Sequence, residues 1–138
     1  MMEPIFISTD KERLDVAMIH SFLSERSYWA KGRSLEAVKQ TIAHSLCFGI
    51  YNREGKQLGF ARVATDYAVF GWLMDVFVLE EYRKQGLGKQ LIAHIVDHPA
   101  IKNIRRIGLA TSDAHGLYRQ FGFSRLSAPE KMMELVRT

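Results

Sequence analysis

At 138 residues with a formal net charge of +4, the chain has room for one domain, residues 1–138, and carries no solenoid-period repeat and no low-complexity block. Its basic residues are scattered except for Arg105 and Arg106, which leaves nucleic acid unsupported as a partner, whereas a small polyanionic ligand needs only a few well-placed cations. A single cysteine excludes an internal disulfide, and the opening MMEPIFIST has neither a basic leader nor an apolar run of membrane length, so a cytoplasmic protein with no membrane partner is expected.

PIFIST reads as a short strand, after which Thr9 or Asp10 caps a helix over KERLDVAMIHSFLSE. The apolar face of that helix is Leu14, Met18 and Phe22, flanked by Ile19 and Leu23. SYWAKGR interrupts it, and Ser34 opens a second helix with Leu35, Val38 and Ile42 at helical spacing. From Leu46 the period changes, so that LCFGIY, the turn NREGK and QLGFARVATD form an antiparallel hairpin. FGWLMDVFVL is long and almost wholly apolar, which places it centrally in a sheet. A glycine loop then leads into a helix over LGKQLIAHIVDH, stopped by Pro99. IRRIGLAT returns as a strand, DAHGLYRQF is a short helix capped by Asp113, GFSRL starts a strand and KMMELV is a final strand. The class is α/β, a mixed sheet flanked by about four helices.

Three residues that invite chemistry are read as structure. Cys47 lies in the apolar run LCFGIY, the setting of a buried, inert thiol. His94 and His98 stand at i, i+4, yet a zincin needs glutamate directly after the first histidine, where this chain has Ile95. Favourable charge at a helix C-terminus accounts for the pair, and no metal is expected.

The loop RKQGLGKQL sits between a strand and a helix, where glycines let the chain turn and leave the first helical N–H groups open to an anion. A Rossmann fingerprint needs a third glycine where Leu91 stands. A Walker loop needs glycine at Arg83 and serine or threonine at Gln90. What remains is R-x-x-G-x-G on Arg83, Gly86 and Gly88, directly after DVFVLEEY. This run resembles motif A of the Gcn5-related N-acetyltransferases, Gln/Arg-x-x-Gly-x-Gly/Ala, and LYRQFGF resembles that family's Tyr-x-x-x-Gly-Phe close. SYWAKGRS and TSDAHGLY look like a set of small bacterial members.

The resemblance implies a mostly antiparallel central sheet with a splayed strand pair, and acetyl-CoA as the acyl donor. It assigns the pyrophosphate to loop residues Arg83, Lys84, Gln85, Gly86, Leu87, Gly88 and Lys89, with Arg83 and Lys89 as the foremost cations. It assigns the pantetheine arm and acetyl group to the backbone of Val76, Phe77 and Val78. It also aligns Tyr118 with the family's general acid, a phenol able to donate to the departing thiolate, whereas the residue alone reads rather as packing on Phe121 and Phe123.

An acceptor ammonium with a pKa of roughly 10.4 is almost wholly protonated at neutral pH, so a base or a site preferring neutral amine is needed. Strand alternation puts Leu73, Asp75, Phe77 and Leu79 on one face, and burial there is expected to raise the pKa of Asp75 toward that of a base; an amine anchor or a structural hydrogen bond are its other roles. Glu80 and Glu81 read as solvated, and His115 as a cofactor contact, a proton relay or a surface residue. Tyr28 and Trp29 are candidates for the acceptor pocket. The acceptor partner is a small-molecule or peptide amine, and a final strand able to pair between subunits adds a homodimer to the expected partners. A non-catalytic acyl-CoA sensor of the same fold is the alternative.

Overall fold

In the computed structural model, which describes residues 4–137, Asp10 and Asp15 divide what apolar spacing reads as one helix. Asp10 accepts the Glu12 N–H and closes a single 3-10 turn, Lys11–Arg13; the backbone becomes extended at Leu14, and Asp15 accepts the Met18 N–H to start α1, Val16–Arg26. Each carboxylate satisfies one of the N–H groups that a helix start leaves unpaired. The buried face is accordingly Ile19, Phe22 and Leu23, with Leu14 and Met18 only partly covered. Ser34 does cap α2, Leu35–Ala43, by accepting from the Ala37 N–H, and Val38 and Ile42 are buried.

The sheet runs in sequence order: β1, Ile5–Ser8; β2, Leu46–Asn52; β3, Gln57–Thr65; β4, Phe70–Val78; and β5, Arg106–Leu109. The first three pairings are antiparallel and β4 with β5 is parallel. The β2–β3 turn is held by Asn52, whose side chain accepts the N–H groups of Glu54 and Lys56, while Gly55 takes a left-handed φ of 89°. Helix α3, Leu87–Val96, covers one face of the sheet with Leu87, Leu91, Ile92 and Ile95; α1 and α2 cover the other around Phe60 and Phe77. Phe22 stacks on Phe77 with ring centroids 4.0 Å apart. Among the described residues no helix is long and apolar enough to cross a membrane.

Two expectations need correction. Simple alternation does not survive in β4: Phe60 pairs with Phe77 but Arg62 pairs with Met74, so β4 carries an extra residue there, and Asp75 adopts φ 56°. That bulge moves Leu73 to the α3 face beside Val63 while Asp75 and Phe77 stay on the α1–α2 side. The strands expected at GFSRL and KMMELV are absent: after α4, His115–Arg119, the described chain holds only a 3-10 turn, Pro129–Lys131, and Met133, Leu135 and Val136 are exposed. Apolar alternation favours a strand only where a sheet partner takes the other half of the hydrogen bonds, and this segment has none.

Candidate active site

Past β4 the chain makes a 3-10 turn, Glu80–Tyr82, and the Arg83 Nε–H donates to the Val78 carbonyl at 2.9 Å. Glu80, half exposed, pairs with Arg26 of α1 at 3.3 Å and approaches Arg83 at 4.0 Å. Arg83 therefore braces the end of β4 with one edge of its guanidinium. Lys84 and Gly86 both adopt left-handed backbone, φ 65° and 78°, which turns the chain into α3. No side chain caps that helix, and the Gln90 N–H bond to the Gly86 carbonyl is the first of its ladder, so the N–H groups of Leu87, Gly88 and Lys89 head it without a helical acceptor. The Leu87 side chain is buried and anchors the turn, while Lys84, Gln85 and Lys89 are exposed. A Cβ at Gly88 would meet no atom within 4 Å, so packing does not demand glycine there.

At the other end of β4 its pairing with β5 stops at Leu73 opposite Leu109. Beyond it the β5-facing edge of Met74 to Val78 has no strand partner among the described residues; the Leu79 N–H bond to the Leu58 carbonyl fixes Phe77 as a residue whose backbone faces β3, so it is Val76 and the Val78 N–H that are open on that side. The Val78 carbonyl is already taken by Arg83.

A cavity of about 460 Å³ lies at this opening, lined by Tyr28, Trp29, Arg33, Asp75, Asp113 and Tyr118 among others. Asp75, buried on the bulge, is saturated with donors. Trp29 Nε1–H donates to Oδ1 at 2.9 Å, and Arg33 Nη1–H and Arg62 Nε–H donate to Oδ2 at 2.7 Å each. Burial by itself pushes this carboxyl up, but the Arg62 hydrogen bond and charge, followed by Arg33, more than offset that and hold it below the usual carboxylate range. The expected rise does not occur, and a carboxylate that accepts from three donors and is held below the usual range argues against Asp75 as the base. It instead ties the α1–α2 junction to β4.

Tyr118, on α4 and buried, sits edge-on to Phe123 at 5.8 Å and lines the cavity as well, so packing and site access coincide in one residue. Burial, then Tyr28 and Asp113, push its pKa up to about 12. Tyr28 reaches across the mouth: its hydroxyl accepts the Ser112 N–H at 3.1 Å, the Ser112 side chain and then that N–H lower its pKa, and its ring meets Trp29 edge-on at 5.0 Å. Asp113 does not cap α4; Thr111 Oγ1 accepts the Ala114 N–H at 3.1 Å, and Ala114 precedes the helix without a side-chain cap. His115 is the first residue of α4 and lies along a neighbouring groove with Tyr118.

Away from the site, burial raises the Cys47 thiol to about 11, which keeps it inert. His94 and His98 flank Phe48, and among the described residues no group of three or more His, Cys, Asp or Glu could hold a metal. Burial and then His94 lower the His98 pKa, so a favourable charge at the helix end is not its explanation. The residues missed from sequence are Arg33 and Arg62. A charged residue inside the apolar run GFARVA was the available signal for Arg62; Arg33 had none, because its partner is 42 residues away.

A family model of the acetyltransferase (GNAT) domain matches residues 43–125. A crystal structure of a GNAT-family acetyltransferase from Xanthomonas campestris pv. campestris shares 45% identity, covers 99% of this chain and 96% of that one, and superposes with a TM-score of 0.95. A protein of Gibberella zeae assigned as an acetyltransferase is 29% identical over 133 residues, 81% of this chain and 74% of that protein. A protein from Clostridium acetobutylicum assigned as an acetyltransferase and crystallised with acetyl-CoA shares the fold with a TM-score of 0.67 at 14% identity, covering 98% of this chain and 96% of that one.

Proposed function

The chain belongs to the GNAT acetyltransferase family, whose activity is acetyl-CoA-dependent acetyl transfer, and on that premise we propose that it acetylates a primary amine by direct attack on the thioester. The observation that carries the reading is the uncapped start of α3: the N–H groups of Leu87, Gly88 and Lys89 have neither a helical nor a side-chain acceptor, the arrangement that receives a phosphate. When bound, acetyl-CoA supplies an activated acyl group on a thiol leaving group.

Each contribution of the protein follows from its own groups. The N–H groups of Leu87, Gly88 and Lys89, with the α3 dipole behind them, bind phosphate oxygens, and Arg83, Lys84 and Lys89 add charge. The open edge of β4 at Val76 and Val78 orients the acyl arm and offers N–H to the carbonyl. Tyr118 keeps its proton across the working range, since its pKa is about 12 and a thiol's is roughly 8.5; it serves as a hydrogen-bond donor at the sulfur and not as a fully dissociating acid. With Asp75 held below the usual carboxylate range and so a poor base, the neutral amine comes from the acceptor's own ionisation, and the rate of transfer rises with pH up to the acceptor's pKa.

Calorimetric titration of acetyl-CoA into the wild type and an Arg83→Ala, Gly86→Val variant tests the loop; micromolar binding lost in the variant is expected. Thiol release over a panel of amines then tests transfer, with Tyr118→Phe slower by about 10²-fold at unchanged acetyl-CoA affinity. Binding without thiol release from any amine would favour the non-catalytic sensor instead.

A further inference from the structure

The charges beneath the cavity do not cancel. Asp75 is one anion between two guanidinium groups, and the triad carries a net charge of +1 in a largely buried setting. Arg62 has no free edge: its Nε–H goes to Asp75, Nη1 to Ser45 Oγ at 3.0 Å and Nη2 to Met74 Sδ at 3.6 Å. Arg33 differs. Its side chain is 23% exposed, it lines the cavity, and only Nη1 has an acceptor; its Nε–H and Nη2 hydrogens have none among the described residues. Nε and Nη2 form the side-on edge of a guanidinium, two parallel donors at the spacing of a carboxylate's two oxygens. Asp113, the other acid on the lining, pairs with no cation among the described residues and stands before α4, on the side of Tyr118.

We propose that the acceptor is an amine that also bears a carboxylate, of the amino-acid class, and that Arg33 is the residue that selects it. This rests on the acetyl-transfer reading of the same pocket. A carboxylate on the free edge of Arg33 neutralises the excess charge of the triad and completes its donors. Trp29 and Tyr28 beside it provide flat apolar walls for the acceptor's body. The amine is left for the Tyr118 side, where Asp113 favours a cation on approach. Simple diamines, which carry no anion, meet a net positive floor and are disfavoured.

Matched pairs that differ only by the carboxylate test this: L-phenylalanine with 2-phenylethylamine, L-tyrosine with tyramine, L-lysine with cadaverine and L-arginine with agmatine, each measured by thiol release alongside acetyl-CoA titration. The carboxylated members are expected to show kcat/KM about 10- to 100-fold above their partners, the effect of one charge-assisted bidentate contact. Arg33→Gln removes that preference. Arg33→Lys keeps a charge on Asp75 but not the flat two-donor edge, so it lowers the preference while holding the fold, which guards against a variant that merely unfolds. Equal or faster turnover of the decarboxylated amines overturns the inference, as does a preference that survives both variants. If acetyl-CoA binds and only the decarboxylated amines are acetylated, the carboxylate assignment falls and the acetyl-transfer reading stands; if it binds and no amine is acetylated, both fall to the non-catalytic sensor. If acetyl-CoA does not bind, both fall.

Discussion

The loop over residues 83–89 and the cluster around Asp75 both adjoin β4, yet they are built in opposite ways. The loop is mostly exposed, has no side-chain cap and presents backbone N–H groups headed by glycine. The cluster has both carboxylate oxygens and all Arg62 nitrogens engaged, with partners drawn from the α1–α2 junction, β3 and the residue before β2. A binding surface needs groups left open, and a frame needs groups closed. Substitution in the loop should therefore act on ligand affinity with modest stability change, and substitution in the cluster should act on stability first.

Asp75→Ala is the largest expected break in the frame. It leaves Arg62 buried without its counter-ion, and a loss of about 3–5 kcal/mol by urea unfolding is expected; a change within about 0.5 kcal/mol would mean the cluster is not a frame. Gly86→Val places a β-branched residue at φ 78° and should cost about 1–3 kcal/mol in stability, together with most of the acetyl-CoA affinity. Gly88→Ala sharpens the contrast: its Cβ meets nothing, so about 1 kcal/mol is gained in helix stability, while acetyl-CoA binding by titration changes little at a motif position that admits alanine. A Gly88→Val protein with unchanged affinity would remove phosphate from this surface.

The smallest effect is on pH dependence. Cys47, Tyr51 and Tyr118 have folded pKa values raised to about 11, 12 and 12, chiefly by burial. Each favours the folded state in its protonated form, so their contribution is complete below the ordinary values of 9.0 and 10.0 and is lost as pH rises through 11 and 12. Asp75 has the opposite sign. Its depressed pKa stabilises the fold above the ordinary value of 3.8, and that contribution is lost as pH falls through the folded value. Thermal unfolding across pH 3 to 12 should thus show a plateau with losses at both ends, and Asp75→Asn should flatten the acid limb alone.

What the sequence by itself determined was local. Ser34 as a cap, the hairpin at Gly55 and the glycine turn into α3 all depend on residues within a few positions of one another, where backbone preference and hydrogen-bonding reach suffice; the place of β4 does not, and where a central strand was expected it is fourth of five with a half-open edge. The loop was legible for the same reason, since its donors are main-chain groups whose exposure follows from the turn. The tertiary structure decided the rest. Asp75 looked like a base because alternation placed a lone carboxylate on an apolar face, yet Arg33, 42 residues away, and Arg62, 13 away, reverse its pKa. The bulge that sets its orientation comes from a count of residues against β3, which one strand cannot reveal. KMMELV has strand-like residues but no strand, because a strand is a property of two chains' worth of hydrogen bonds and its own segment supplies only half.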